Sequence, residues 1–181
     1  MPGTFLIKER TGTGGGITNT DITSANSRYL LADSYSASTT STPVPIPSSG
    51  TNYSYWKSRY LDCTVSPAGT ADTITYYTDG ANGYGTGVTE KISTANALSY
   101  VQATGTATSG TQLTNGNYSG SGTPVNTFSY TSGSPLSITG SIANPNTGKV
   151  SDFWVEQLEV ASTAAPGVVS AETKTVSFLE T

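Results

Sequence analysis

Between Tyr53 and Val65 the chain reads Tyr-Ser-Tyr-Trp-Lys-Ser-Arg-Tyr-Leu-Asp-Cys-Thr-Val, the longest strand signal it carries. Successive side chains of an extended chain point to opposite faces. Leu61, Cys63 and Val65 therefore share one face, and Ser58, Tyr60, Asp62 and Thr64 take the other. The Tyr-Trp end at 53–56 reads as a separate strand or a bulge. Shorter runs repeat the pattern. Residues 72–78 bring Ile74 and Tyr76 together, 152–160 align Trp154, Leu158 and Val160, and 173–179 align Val176 with Phe178. Residues 28–36 predict a first strand, and 88–103 one or two weaker ones. Apolar residues at helical spacing never persist beyond a turn.

The punctuation agrees. Pro67-Ala68-Gly69 and Ala165-Pro166-Gly167 are turns, and 79–87 is a loop rich in glycine. Pro43, Pro45 and Pro47 lack an N–H, which makes 42–48 an extended connector or edge segment. Short strands at irregular spacing, with no internal repeat, predict an all-β antiparallel β-sandwich over residues 21–181, jelly-roll type preferred. Its predicted core is Leu61, Cys63, Val65, Ile74, Tyr76, Trp154, Leu158, Val160, Val176 and Phe178.

Composition points the same way. Charged residues make up 11% of the 181 residues, against about a quarter in ordinary domains. Ser, Thr and 20 Gly stand in their place. Such a chain also suits disorder, but 11 Tyr, 4 Phe and 2 Trp are spread along it in alternating runs. Local disorder is expected in the first twenty residues and in parts of 104–123, where Leu113 and Tyr118 are the large anchors. Residues 1–20 read as an N-terminal arm. Phe5, Leu6 and Ile7 form its sticky segment, a Gly/Thr joint over 11–16 follows, and Lys8 and Arg10 stand by to meet an acidic partner.

The sequence removes most chemistry. It has no His, hence no usual general base, no Ser-His-Asp triad and no Cys-plus-His zinc site. Cys63, the single cysteine, reads as a small buried hydrophobe. Two-carboxylate glycoside hydrolysis stays formally open, since 12 Asp and Glu are present. Glu156 and Glu159 fall on opposite faces of one strand and cannot form the pair, so it would have to come from distant strands. Gly12-Thr13-Gly14-Gly15-Gly16 has no strand before it and no helix after it to make a phosphate cradle. Asp79-Gly80-Ala81-Asn82-Gly83 lacks the ligand spacing of a calcium loop and reads as a hairpin turn. No cofactor is implied.

The formal charge of −4, with the eight Lys and Arg scattered, gives no stripe for nucleic acid. No apolar stretch is long enough to span a bilayer, and the N-terminus does not read as a signal peptide. Tyr76, Tyr77 and Tyr84 could face a sugar as an aromatic platform; the plainer reading packs them at sheet faces and subunit contacts.

Three stretches in this order carry a resemblance. They are Pro43-Val-Pro-Ile-Pro-Ser-Ser-Gly-Thr-Asn-Tyr-Ser-Tyr-Trp-Lys57, Asp79-Gly-Ala-Asn-Gly-Tyr-Gly-Thr-Gly-Val88, and Phe153-Trp-Val-Glu-Gln-Leu-Glu-Val160 through to Ser177-Phe-Leu-Glu-Thr181. Together they resemble the small Thr/Gly/Ser-rich β-sandwich structural proteins of tailed bacteriophages, capsid decoration (cement) proteins in particular. The resemblance lies in texture and order, over roughly residues 43–181. It implies a virion protein assembled in the host cytoplasm, without catalytic residues, bound to a shell of major capsid protein. A symmetric homo-oligomer is expected, a trimer favoured. The rival expectations are a carbohydrate-binding or adhesin module and a tail or neck structural protein.

Overall fold

A computed structural model describes residues 1–38, 42–94, 96–118 and 122–181. The strands are β1 (Thr4–Thr11), β2 (Thr18–Asp21), β3 (Thr51–Tyr53), β4 (Lys57–Val65), β5 (Thr70–Tyr77), β6 (Val88–Ile92), β7 (Val125–Asn126), β8 (Leu136–Ile138), β9 (Ile142–Ala143), β10 (Gly148–Lys149), β11 (Trp154–Ala161) and β12 (Thr175–Glu180). The larger sheet runs β2-β1-β4-β11-β6-β7, with β10 added on β4 and β3 on β11. The smaller runs β12-β5-β8, with β9 added on β5. Every pairing between these strands is antiparallel. The two sheets pack face to face as an all-β sandwich. A jelly roll divides eight strands between two Greek keys; the unequal sheets seen here do not establish that topology.

The inner face holds the main core. Leu61, Cys63, Ile92 and Trp154 from the larger sheet meet Ala71, Ile74, Tyr76, Leu136 and Ile138 from the smaller. Ala71 and Ile74 both face inward although they are three residues apart. A bulge explains this. Ser177 pairs with Thr75 and Leu179 with Asp72, so two residues of β5 oppose Phe178 alone, and Thr73 takes φ +53°.

The outer face of the larger sheet is buried too. Trp56, Tyr60, Phe153 and Val155 pack under Ala97, Ala103, Leu113 and Tyr118. The segment 96–118 therefore forms a third layer with almost no regular structure. Its backbone groups need partners, and buried Gln157 supplies several. Gln157 Nε2 donates to the carbonyls of Ser54 (2.7 Å) and Thr111 (2.9 Å), while its Oε1 accepts from Leu113 N (2.7 Å). Leu113 and Tyr118 anchor this stretch, as their size suggested, and with Gly110 they are its buried members over 104–118, where 104–108 are exposed; residues 119–121, part of the expected disorder, lie outside the described residues.

Other expectations are corrected. The first twenty residues are not a free arm. β1 lies inside the larger sheet between β2 and β4, with Phe5 and Ile7 packed against the main core. The alternation Phe5-Leu6-Ile7-Lys8-Glu9-Arg10 is itself a strand pattern, with Glu9 as the polar member of the inward set. Residues 28–36 form no strand: their backbone makes isolated bonds, Arg28 N donating to the carbonyl of Ser36 and Tyr55 N to that of Leu30, in place of a ladder. Val65 is 42% exposed and Phe178 36%. Val65 ends β4 at the sheet margin, and Phe178 sits opposite the bulge, stacked on Phe5 with ring centroids 4.3 Å apart.

Candidate functional site

The inner face of the larger sheet carries charge at one end. Alternation turns Glu9 of β1, Lys57 and Arg59 of β4, Glu90 of β6 and Glu156 of β11 to the same side as Leu61 and Trp154. Register then places them together, with Glu9 opposite Arg59, Lys57 opposite Glu156, and Glu90 opposite Leu158. All three carboxylates are fully buried. Lys57 Nζ reaches Glu9 Oε1 at 2.8 Å and the carbonyl of Ser34 at 2.9 Å. Arg59 bridges two acids, through Nε to Glu9 at 3.5 Å and through Nη1 to Glu156. Lys174, just ahead of β12, lies 2.5 Å from Glu90 Oε1 and 3.8 Å from Glu156 Oε1.

Hydroxyls complete the shell. Tyr76 donates to Glu156 Oε1 and Tyr84 to Glu90 Oε2, each at 2.5 Å; Tyr29 donates to Glu90 Oε1 at 2.9 Å and Ser27 to Glu9 Oε2 at 2.5 Å. Lys174 Nζ stands between Glu90 and Glu156, which face the same side of neighbouring strands. Burial pushes the Glu90 carboxyl above its usual range, Lys174 opposes that, and the neighbouring Glu156 charge adds to it. Burial also works against charge on Glu156, but Arg59 and Lys174 overcome it and hold Glu156 below its usual range. The pair therefore divides its roles, Glu90 favouring the neutral form and Glu156 the charged one. Burial and the adjacent carboxylates raise the phenols of Tyr29, Tyr76 and Tyr84, which remain donors.

A carboxyl pair from distant strands thus exists, both members fully buried. Glycoside hydrolysis sets its two carboxyls about 5–9.5 Å apart, with the sugar between them. Here both carboxyls are fully buried, and each is met by a tyrosine hydroxyl and a cation. Among the described residues, no three Asp, Glu or Cys side chains converge as metal ligands.

A cavity of about 630 Å³ lies beside the cluster. The inner face of the larger sheet, Tyr76 and Val176 of the smaller one and the irregular segments 22–30 and 164–174 line it, and it is partly open to solvent. Its wall includes Val88, Leu158, Val160, Val168 and Val169, and Arg59, Tyr29, Tyr84 and Lys174 separate it from the carboxylates.

The predicted tyrosine platform does not assemble. Tyr76 and Tyr84 turn inward to the carboxylates, whereas Tyr77 alternates to the other face of the smaller sheet. Of the N-terminal residues, Phe5 and Ile7 face the core. Leu6, Lys8 and Arg10 take the other face, where Lys8 pairs with Asp62 at 2.6 Å and Arg10 lies over Phe153 at 5.1 Å. Cys63 is buried and donates to the carbonyl of Val65. In the 79–87 loop, Asp79 Oδ1 accepts from Ala81 N and Asn82 Oδ1 from Tyr84 N, so these side chains serve the turn itself.

Compared with protein-family models, curated proteins and solved structures, the chain matches none.

Proposed function

We propose that this chain is a non-enzymatic structural protein of a virus particle, decorating and stabilising the outside of a capsid. The observation that carries the reading is how the charged groups are used. The fold gathers the fully buried Glu9, Glu90 and Glu156 against three cations inside the sandwich and satisfies them there. That arrangement holds sheets and loops together and offers no free acid or base to a substrate. What remains outside is largely Ser, Thr, Gly and Asn on a β scaffold. The resemblance in order and texture to phage decoration proteins supplies the virion context.

On this reading the protein acts as a symmetric homo-oligomer, a trimer favoured, seated on a shell of major capsid protein. Two sheet margins support association. β2 and β12 each pair on one side only, and Val65, Phe178 and Leu179 are exposed near the second margin. Such an edge invites a partner strand unless it is covered. Purified particles should contain the chain in fixed molar ratio to the shell protein by quantitative mass spectrometry. Its absence from particles, with the chain free in the lysate, would reject the reading.

A further inference from the structure

Seven of the eight Lys and Arg side chains are accounted for or stand apart from the cavity. Lys8, Lys57, Arg59, Lys149 and Lys174 form ion pairs, Arg10 lies over aromatic rings, and Lys91 lies on the outward side of β6. Arg28 is different. It lines the cavity beside Tyr29, makes no ion pair among the described residues, and its Nε is buried without a hydrogen-bond partner. The other two cations of the wall, Arg59 and Lys174, are committed to Glu9, Glu156 and Glu90. Arg28 is thus the cavity's unclaimed cation, in a lining that also holds valines and leucines.

We propose that this cavity is a binding site for an amphipathic anion, an aliphatic carboxylate whose chain lies along Leu158, Val160 and Val168 and whose head pairs with Arg28. A volume of about 630 Å³ falls within the range of small-molecule sites, roughly 300–1,000 Å³. The planar guanidinium matches a carboxylate in two parallel hydrogen bonds, and a ligand oxygen would satisfy the buried Nε. Glu172, the one carboxylate in the wall, makes no ion pair with Arg28 among the described residues, so the guanidinium is left for a ligand. The walls come from the two irregular segments as well as from strands, so an occupant would also tie residues 22–30 to 164–174. This site does not depend on where the protein resides.

The test is calorimetric titration of the full chain with dodecanoate, below its micellar concentration, and with dodecanol as the uncharged control. Dodecanoate should bind saturably at one site per chain, about tenfold or more tighter than dodecanol, the scale of a charge-assisted hydrogen bond. Arg28→Gln should bring dodecanoate down to the level of dodecanol. Val44→Trp, on the irregular connector at the cavity wall, should weaken both while circular dichroism stays unchanged. Failure of the folded wild-type chain to bind dodecanoate saturably would overturn the site. Undiminished dodecanoate binding by Arg28→Gln would overturn the head-group assignment, and undiminished binding of both ligands by Val44→Trp would place them elsewhere.

Discussion

Glu90 and Glu156, sixty-six positions apart in sequence, share one cation, with Lys174 Nζ 2.5 Å from Glu90 Oε1 and 3.8 Å from Glu156 Oε1. Their register explains this. Glu156 pairs with Ile92 and Glu90 with Leu158, so the two acids lie diagonally on one face. Each is met by a tyrosine, Tyr84 on Glu90 and Tyr76 on Glu156. The cluster joins four strands of the larger sheet to β5 and to the segments carrying Tyr29 and Lys174.

Arg59 is the pivot of that cluster, because it neutralises both Glu9 and Glu156. Arg59→Met keeps much of the volume but leaves two buried acids poorly compensated. Removing one partner of a buried pair costs about 3–5 kcal/mol. Urea unfolding of the variant should show a loss of that order. Arg59→Lys should recover only part, since a lysine cannot bridge both carboxylates with a planar fork.

The two carboxyls should give opposite pH signatures. The folded-state value of Glu156 lies below the ordinary 4.5, so its contribution is present above that pH and lost as pH falls through the folded value. The folded-state value of Glu90 lies above 4.5, so its contribution is complete below that pH and lost as pH rises through the folded value. Unfolding free energies across the acid and neutral range should show Glu156→Gln flattening the acid limb. Glu90→Gln should gain on wild type as pH rises above 4.5. A pair of parallel curves would contradict the division of roles.

Because β1 lies inside the larger sheet, removing residues 1–16 should abolish cooperative unfolding rather than trim a dispensable tail. Ile7→Ala should cost about 2 kcal/mol, the lower end for a buried isoleucine, since Ile7 is only partly covered. Thermal melts followed by near-ultraviolet circular dichroism would check both.

Two glycines separate close approach from backbone conformation. At Gly87, φ is +75° and a Cβ would stand 2.5 Å from Ala164 N; at Gly14, φ is +53° with nothing within 4 Å. Gly14→Ala should cost about 1–2 kcal/mol, the left-handed penalty alone. Gly87→Ala should cost more, and differential scanning calorimetry should rank the two in that order.

The strands of the sandwich were legible where one period ruled. The runs at 53–65, 72–78, 152–160 and 173–179 announced themselves through alternation, and the inward residues Leu61, Ile74, Trp154 and Leu158 among them are in the core. β1 was hidden because Glu9 and Arg10 break the apolar pattern and Gly-rich residues follow it. The burial of both faces of β4 was hidden because its cover, 96–118, is poor in large apolar residues and works through a few anchors and Gln157. The charge cluster was the least legible part. Glu9, Lys57, Arg59 and Glu90 look like solvent-facing residues in a linear reading, and only pairing across four strands brings them together. One signal was present: Glu156 falls on the same face as Trp154 and Leu158, an acid in an inward register that needed a partner.

The proposed virion role meets its most direct test in a cryo-electron-microscopy reconstruction of particles from the source culture, at a resolution that separates strands. The predicted result is density on the outer surface of the shell, at symmetric positions, that accepts this sandwich with its third layer over 96–118. A shell with no such density, or the sandwich found only in the tail, would contradict capsid decoration.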